Sequence, residues 1–302
     1  MRPLRQITRV TPTILTLALA AVSALGCNQH RVEESATEDF RFDSSAITRI
    51  EVRIDYGQIA VEPSDAIELT EVVFRKRARA ADRDRARSLL DAIRVEVIED
   101  GDTLRVRARV PGASIASFGG NARTDVVLRV PEGTALDLQT RDGRIQLERV
   151  SGDIRAETAD GRIRLETVKG TLRLRTTDGS VIGTALAGAV DAASGDGRIQ
   201  REGSFDALRA VTADGSIRIT SHGAHELTSN WTIRTSDGPI ELTLPASISA
   251  QIEATAFARR VVNDLSTFEG KERHGRLKGT LGKGGPLILV TTMDGRITLK
   301  ES

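Results

Sequence analysis

From Asp142 onward the chain repeats itself every 18 residues, and that period constrains the fold more than any other feature. Asp-Gly pairs stand at Asp142-Gly143, Asp160-Gly161, Asp178-Gly179, Asp196-Gly197 and Asp214-Gly215, and recur after longer inserts at Asp237-Gly238 and Asp294-Gly295. A hydroxyl stands two residues before each Asp: Thr140, Thr158, Thr176, Ser194, Thr212, Thr235 and Thr292. A β-branched aliphatic stands three residues after it: Ile145, Ile163, Val181, Ile199, Ile217, Ile240 and Ile297. The positions four and six before each Asp are mostly apolar, from Leu136 and Leu138 to Ile288 and Val290. Together these columns keep a period of two, the signature of strands with one buried face. Asp-Gly supplies a turn, for which glycine accepts positive φ and Asp can bond the backbone ahead of it. Gly152, Gly170 and Gly188 mark a second turn half a repeat away. Each unit therefore reads as two short strands and two turns.

One such unit cannot bury its apolar face alone, whereas stacked units cover one another in a continuous ladder. The expected fold is all-β, a β-solenoid or β-roll-like stack of 18-residue Asp-Gly repeats with one short N-terminal amphipathic helix. The competing arrangement is a meander of Asp-Gly hairpins forming a sandwich. A fixed period over five units favours the stack.

The flanks carry eroded copies. Ile50, Val52, Ile54, Ile59 and Val61 keep the apolar columns around Tyr56-Gly57, and Ile252, Ala254 and Ala256 keep them before Ala258-Arg259, where the turn pair is lost. Leu265 to Gly285 reads as a Gly- and Lys-rich insert, followed by a final strand pair from Ile288 to Leu299. Ala78 to Ile93 breaks the β pattern and reads as an amphipathic helix with Leu89, Leu90 and Ile93 on one side. Arg94–Ile98 and Thr103–Val110 read as a hairpin around Asp100-Gly101. The expected organisation is a signal peptide over 1–26, a polar tether over 27–46, a capping region over 47–131 and a β-repeat domain over 132–302. The cap would cover a ladder edge that otherwise invites edge-to-edge association.

The first residues read as an address. Arg2, Arg5 and Arg9 precede an apolar run from Ile14 to Leu25, shorter than the roughly 20 residues a spanning helix needs. The single cysteine, Cys27, follows Gly26, as in the lipobox of bacterial lipoproteins, which the segment resembles except at Leu25. That resemblance implies lipidation of Cys27 and a membrane anchor, and Asn28 after it implies the outer membrane of a diderm bacterium. Without the three signal arginines the chain has 40 basic against 42 acidic residues. Such a balance excludes a basic nucleic-acid binder as the default. One cysteine excludes a disulfide scaffold and a cysteine metal cluster.

No catalytic motif is present, no cofactor is implied, and the chain reads as a non-enzyme. His222 and His225 lack an evident third metal ligand, and Trp231 falls on an inward column. Stacking would align the Asp residues along one edge, where calcium could bridge them. Turn chemistry, with Arg144, Arg162 and Arg198 as neutralising neighbours, accounts for them without a metal. Polysaccharide lyases and hydrolases on β-helices supply the alternative, but they use unique carboxylates, whereas these acids recur in every unit. Arg201 is the irregular residue, in a column held by Leu147, Leu165, Ile219, Leu242 and Leu299, with Gly183 the other exception. It implies either an opening in the ladder or a local outward bulge.

The Thr-x-Asp-Gly-x-Ile units resemble the bacterial "putative adhesin" domain family. So do the links Val150, Gly152, Ile154 and Val168, Gly170, Leu172, and the stretch around Gly282, Gly284 and Gly285. The resemblance spans about residues 47 to 302 and implies an envelope-associated, solenoid-like protein. The expected function is a non-enzymatic, lipid-anchored envelope module with membrane contact through Cys27, and with an envelope polysaccharide or protein as partner. Arg155, Arg164, Arg173 and Arg175, with Glu148, Glu157 and Glu166, would form its mixed-charge faces.

Overall fold

The computed structural model describes residues 31–64, 69–110, 112, 115, 119–223 and 227–302. The signal peptide, Cys27, His30 and His225 lie outside the described residues. In chain order the first elements are β1 (Val32–Asp43), β2 (Arg49–Tyr56), β3 (Ile59–Pro63) and β4 (Leu69–Ala80). The helix α1 (Arg83–Asp91) follows, then β5 (Arg94–Asp100), β6 (Thr103–Arg109) and β7 (Asn121–Val130). The repeats give β8 (Ala135–Asp142), β9 (Ile145–Glu148), β10 (Ser151–Thr158), β11 (Ile163–Glu166) and β12 (Lys169–Thr176). They continue through β13 (Val181–Ser194), β14 (Ile199–Thr212), β15 (Ile217–Ser221), β16 (Trp231–Thr235) and β17 (Ile240–Leu244). Last come β18 (Ala250–Ala256), β19 (Val261–Asp264), β20 (Phe268–Arg273), β21 (Arg276–Leu281), β22 (Leu287–Thr292) and β23 (Ile297–Glu301).

The segments on either side of an Asp-Gly turn do not pair with each other, and the long strands β13 and β14 each run from the second wall into the first. The strand entering each Asp-Gly turn belongs to one wall and the strand leaving it to the other. Both walls run as parallel ladders, each strand bonded to its counterpart one rung away. A meander of hairpins would pair antiparallel, so the stack is the fold. The β-branched column forms a single file in the second wall: Val126, Ile59, Ile145, Ile163, Val181, Ile199, Ile217, Ile240, Ile297 and Val261. Every member is at most 2% exposed. Each side chain so buried contributes roughly 1.5–3 kcal/mol, and its cover comes from neighbouring rungs.

Rung order departs from chain order at both ends. The β2/β3 rung, with its eroded Tyr56-Gly57 turn, lies between β6/β7 and β8/β9. The β22/β23 rung, with Asp294-Gly295, lies between β16/β17 and β18/β19. The rung with Ala258-Arg259 is thus terminal in space, although the chain runs on after it. The segment read as an insert forms the β20–β21 hairpin, which extends the first wall from β18 with antiparallel strands. At the other end β5 covers β6, while β4 and then β1 extend the second wall from β7.

Two expectations change in this region. The helix is shorter than 78–93, because Ala78 and Ala80 are buried within β4. It starts where the Asp82 side chain accepts the Arg85 N–H at 2.8 Å, and it buries Ala86, Leu89 and Leu90. The polar tether expected over 27–46 is instead largely β1, paired along its whole length with β4. Its acids are used in ion pairs: Glu33 with Arg79, Glu34 with Arg83, and Glu38 with the buried Lys76. Phe40 packs edge-to-face on Phe74, with ring centroids 5.8 Å apart.

The Asp-Gly turn works differently from the expectation. None of its seven glycines has positive φ. Each is required by close approach. A Cβ on Gly143, Gly161, Gly179 or Gly197 would lie 1.7, 1.5, 1.6 or 1.6 Å from the carbonyl oxygen of the preceding rung's glycine. Gly215, Gly238 and Gly295 are as crowded, at 2.0, 2.0 and 1.8 Å. The hydroxyl column locks the stack. Thr158, Thr176, Ser194, Thr212, Thr235 and Thr292 donate to the glycine carbonyl one rung back at 2.8–3.2 Å, and Thr140 reaches Gly57 O at 3.4 Å. In four turns the same oxygen accepts its own glycine's N–H. The Asp side chains make none of these bonds and face solvent. At the opposite edge Gly152, Gly170 and Gly188 do take positive φ, as the second turn requires.

Replacing Gly161 with Ala therefore drives a Cβ into backbone and removes more than about 3 kcal/mol of stability, or prevents folding. Gly101→Ala, with open space around it and φ +66, costs only about 1 kcal/mol. Urea unfolding of the two variants checks the contrast. Equal losses would contradict the stacking account.

Candidate functional site: a basic cleft at the end of a carboxylate column

Stacking lines up Asp142, Asp160, Asp178, Asp196, Asp214, Asp237 and Asp294 on one edge, all exposed. The expected neutralisation by Arg144, Arg162 and Arg198 does not occur through ion pairs among the described residues. Arg162 instead donates to Ser180 Oγ at 3.1 Å. The column repels itself. Partial desolvation and the like charges of Asp214 and Asp294 hold the Asp237 carboxyl above its usual range. Among the described residues no group of His, Cys, Asp and Glu is placed to hold a metal ion.

The column stops at Tyr56, which takes the Asp position in the β2/β3 rung. A cleft of about 560 Å³ opens there. Four elements, from separate parts of the chain, build it. The β2–β3 turn supplies Tyr56 and Gln58, the β4 and β7 strands supply Arg77, Asn121, Arg123 and Asp125, and the β8–β9 turn supplies Asp142 and Arg144. Their closeness follows from the stack. A Cβ on Gly57, whose φ is +137, would sit 2.1 Å from Thr124 O, so only glycine lets β7 approach. Asp125 fixes the wall: one oxygen accepts the Gln58 N–H at 2.9 Å and the other pairs with Arg77. Gly57 N–H donates to Asp142 O at 3.1 Å, tying the next rung beneath. Arg123 and Arg144 have no ion-pair partner among the described residues and stand exposed at the rim. The cleft therefore offers two free guanidinium groups, one half-buried phenol ring and two amides. Sequence reading had Tyr56 as an eroded repeat. Its identity as the chain's one tyrosine, standing in a column of aspartates, was the available signal.

The other singled-out residues fall elsewhere. Arg155 and Glu157 pair at 2.6 Å, and Arg173 and Asp153 at 3.4 Å, on the first wall, where Arg175 also pairs with Asp191. Arg164, Glu148 and Glu166 belong to β11 and β9 on the opposite wall. The seven charged residues thus form two faces. Trp231 is fully buried, edge-to-face with Phe205 at 6.0 Å, as an inward position requires. Exposed His222 stands 3.1 Å from Glu202 Oε1.

Arg201 follows neither expectation. The ladder does not open and the side chain does not turn outward: it is fully buried within the core column. Gly183, its partner in the adjacent strand, contributes no side chain there. All three guanidinium nitrogens lack a hydrogen-bond partner among the described residues. Burial pushes the group down to about 9, and the charge of Asp191 only partly opposes this.

The family described as Toastrack DUF4097 matches residues 47–300. The chain belongs to this family. The resemblance read from the repeat thus holds, and the Toastrack fold is a solenoid-like β-stack. No protein of curated function matches the chain. Among solved structures it is similar to a "putative cell adhesion protein" from Clostridium sporogenes, at 12% identity over 90% of this chain and 100% of that one, with a TM-score of 0.29. It is also similar to "putative adhesin" structures from Bacteroides fragilis and Parabacteroides merdae. The first is 10% identical over 88% and 97% of the two chains, with a TM-score of 0.32. The second is 8% identical over 87% and 95%, with a TM-score of 0.30. These superpositions are loose.

In this Toastrack chain a buried, unpaired cation costs stability. Arg201→Leu restores the aliphatic column and raises unfolding free energy at pH 7 by roughly 1–4 kcal/mol. The pH dependence has a definite sign. The folded chain holds the Arg201 proton less tightly than the unfolded chain, so unfolding takes up a proton above about pH 9, and stability owed to this residue rises with pH there. The advantage of Arg201→Leu is therefore full below pH 9 and narrows above it. Paired denaturation curves across pH 7–11 measure it. A destabilised Leu variant would contradict this.

Proposed function

We propose that the protein is a non-enzymatic binding module of the cell envelope, anchored through lipid on Cys27 and facing an envelope polysaccharide or protein. One observation carries this reading: ten in-register rungs hold their outward side chains on two walls and one edge at a fixed repeat of about 4.8 Å. Such a surface is rigid without a ligand, so little ordering cost falls on binding. The acids on the edge recur once per rung, and the Asp237 carboxyl is displaced upward by partial desolvation and then by its own like-charged neighbours. Glycosidase chemistry needs two carboxylates driven apart by different environments. The address at Arg2, Arg5, Arg9 and Cys27 supports the envelope, and among the described residues no helix is long and apolar enough to cross a membrane.

Flotation of cell membranes tests the anchor: the native chain rises with lipid and the Cys27→Ser chain stays below. The purified Cys27→Ser chain then co-sediments saturably with delipidated envelope polymer and releases no soluble saccharide. Flotation without Cys27, failure to co-sediment, or breakdown of the polymer would each overturn the corresponding part of the reading.

A further inference from the structure

We infer that the cleft at Tyr56 binds the carboxylate-bearing terminal sugar of a glycan. This rests on the binding-module reading and gives it a site and a ligand class. Four observations lead there. First, Arg123 and Arg144 line the cleft with no ion-pair partner among the described residues, while Arg77 is already held by Asp125. Free guanidinium forks match a carboxylate in geometry as well as charge. Second, Gln58 and Asn121 line the same space. An amide both donates and accepts, as sugar hydroxyls do. Third, Tyr56 gives the cleft its one aromatic ring among the described residues, an apolar surface with a polar tip. Fourth, a volume of about 560 Å³ lies within the range of pockets that enclose small ligands.

The carboxylate column sets the polarity of the ligand. Asp142 lies at the cleft's lower side, and six more carboxylates follow at successive rungs. A second anionic residue entering from that side would meet a carboxylate at each rung, and those six acids outnumber the three exposed arginines of the same edge, Arg162, Arg198 and Arg296. The net negative charge of the edge therefore disfavours a polyanion running along it. The ligand places a single acidic end among the arginines, and its remaining residues leave toward solvent.

Titration of the Cys27→Ser chain with a glucuronate-terminated disaccharide, its glucose-terminated counterpart and inorganic phosphate tests the inference. Calorimetry is expected to show saturable binding of the acidic disaccharide and at least tenfold weaker binding of the neutral one. Phosphate should compete only at far higher concentration. Arg123→Ala with Arg144→Ala, both on exposed side chains, should weaken the acidic disaccharide at least tenfold without shifting the thermal midpoint. Arg162→Ala, on the same edge but outside the cleft, should leave binding unchanged. Equal affinity for acidic and neutral sugars, or no loss in the double variant, overturns the inference. So does equal affinity for phosphate, which would mark an anion site with no sugar selectivity. Adhesion to envelope polymer separates the two proposals. If the double variant still adheres, the cleft assignment fails alone; if the unsubstituted chain does not adhere, the binding-module reading fails.

Discussion

The whole stack depends on how closely one Asp-Gly turn lies on the next. A glycine carbonyl occupies the space a Cβ would need one rung ahead, and a buried hydroxyl from that next rung donates to the same carbonyl. This contact sets the rung spacing at one edge, and the ladder hydrogen bonds of both walls follow from it. A buried hydroxyl without this partner would be destabilising, so the glycine and hydroxyl columns require each other. The β-branched file fills the interior once the spacing is fixed. Register errors are unfavourable, because a one-residue slip would turn every inward side chain outward.

Much of this was legible in the sequence. The 18-residue period, the alternation and the two turns per unit specified stacked rungs, and Ile145, Ile163, Val181, Ile199 and Ile217 do form one file. The role of glycine was misread because a turn glycine suggests positive φ, whereas the crowding arises only between rungs. The hydroxyl column was visible, but its acceptor lies 15 or more residues away in the chain. Strand β1 reads as a tether because its five acids mask the alternation of Phe40 and Phe42. Glu33, Glu34 and Glu38 meet Arg79, Arg83 and Lys76 only after β4 and α1 fold against them.

The cleft could not be read from the sequence. It needs β2/β3 inserted between β6/β7 and β8/β9, and no local pattern encodes that order. The insertion also explains why the carboxylate column ends where it does. Tyr56 belongs to a rung early in the chain but sits beside Asp142, so the edge changes there from repeated acid to aromatic and basic groups. Arg201 teaches a related lesson. Its column predicted an inward residue correctly, while its charge argued for an exit, and the interior accommodates it beside Gly183.

Spin-label distances along one outward column test the rung order most directly. Labels at Gln146 paired in turn with Arg218, Glu241 and Thr298 sit four, five and six rungs apart. The stack predicts separations of about 19, 24 and 29 Å, rising by one rung spacing each time. The last step must match the one before it, although it spans 57 residues of chain rather than 23. Unequal steps, or a Thr298 label closer than the Glu241 label, would contradict in-register stacking with the final strand pair inserted beside β17.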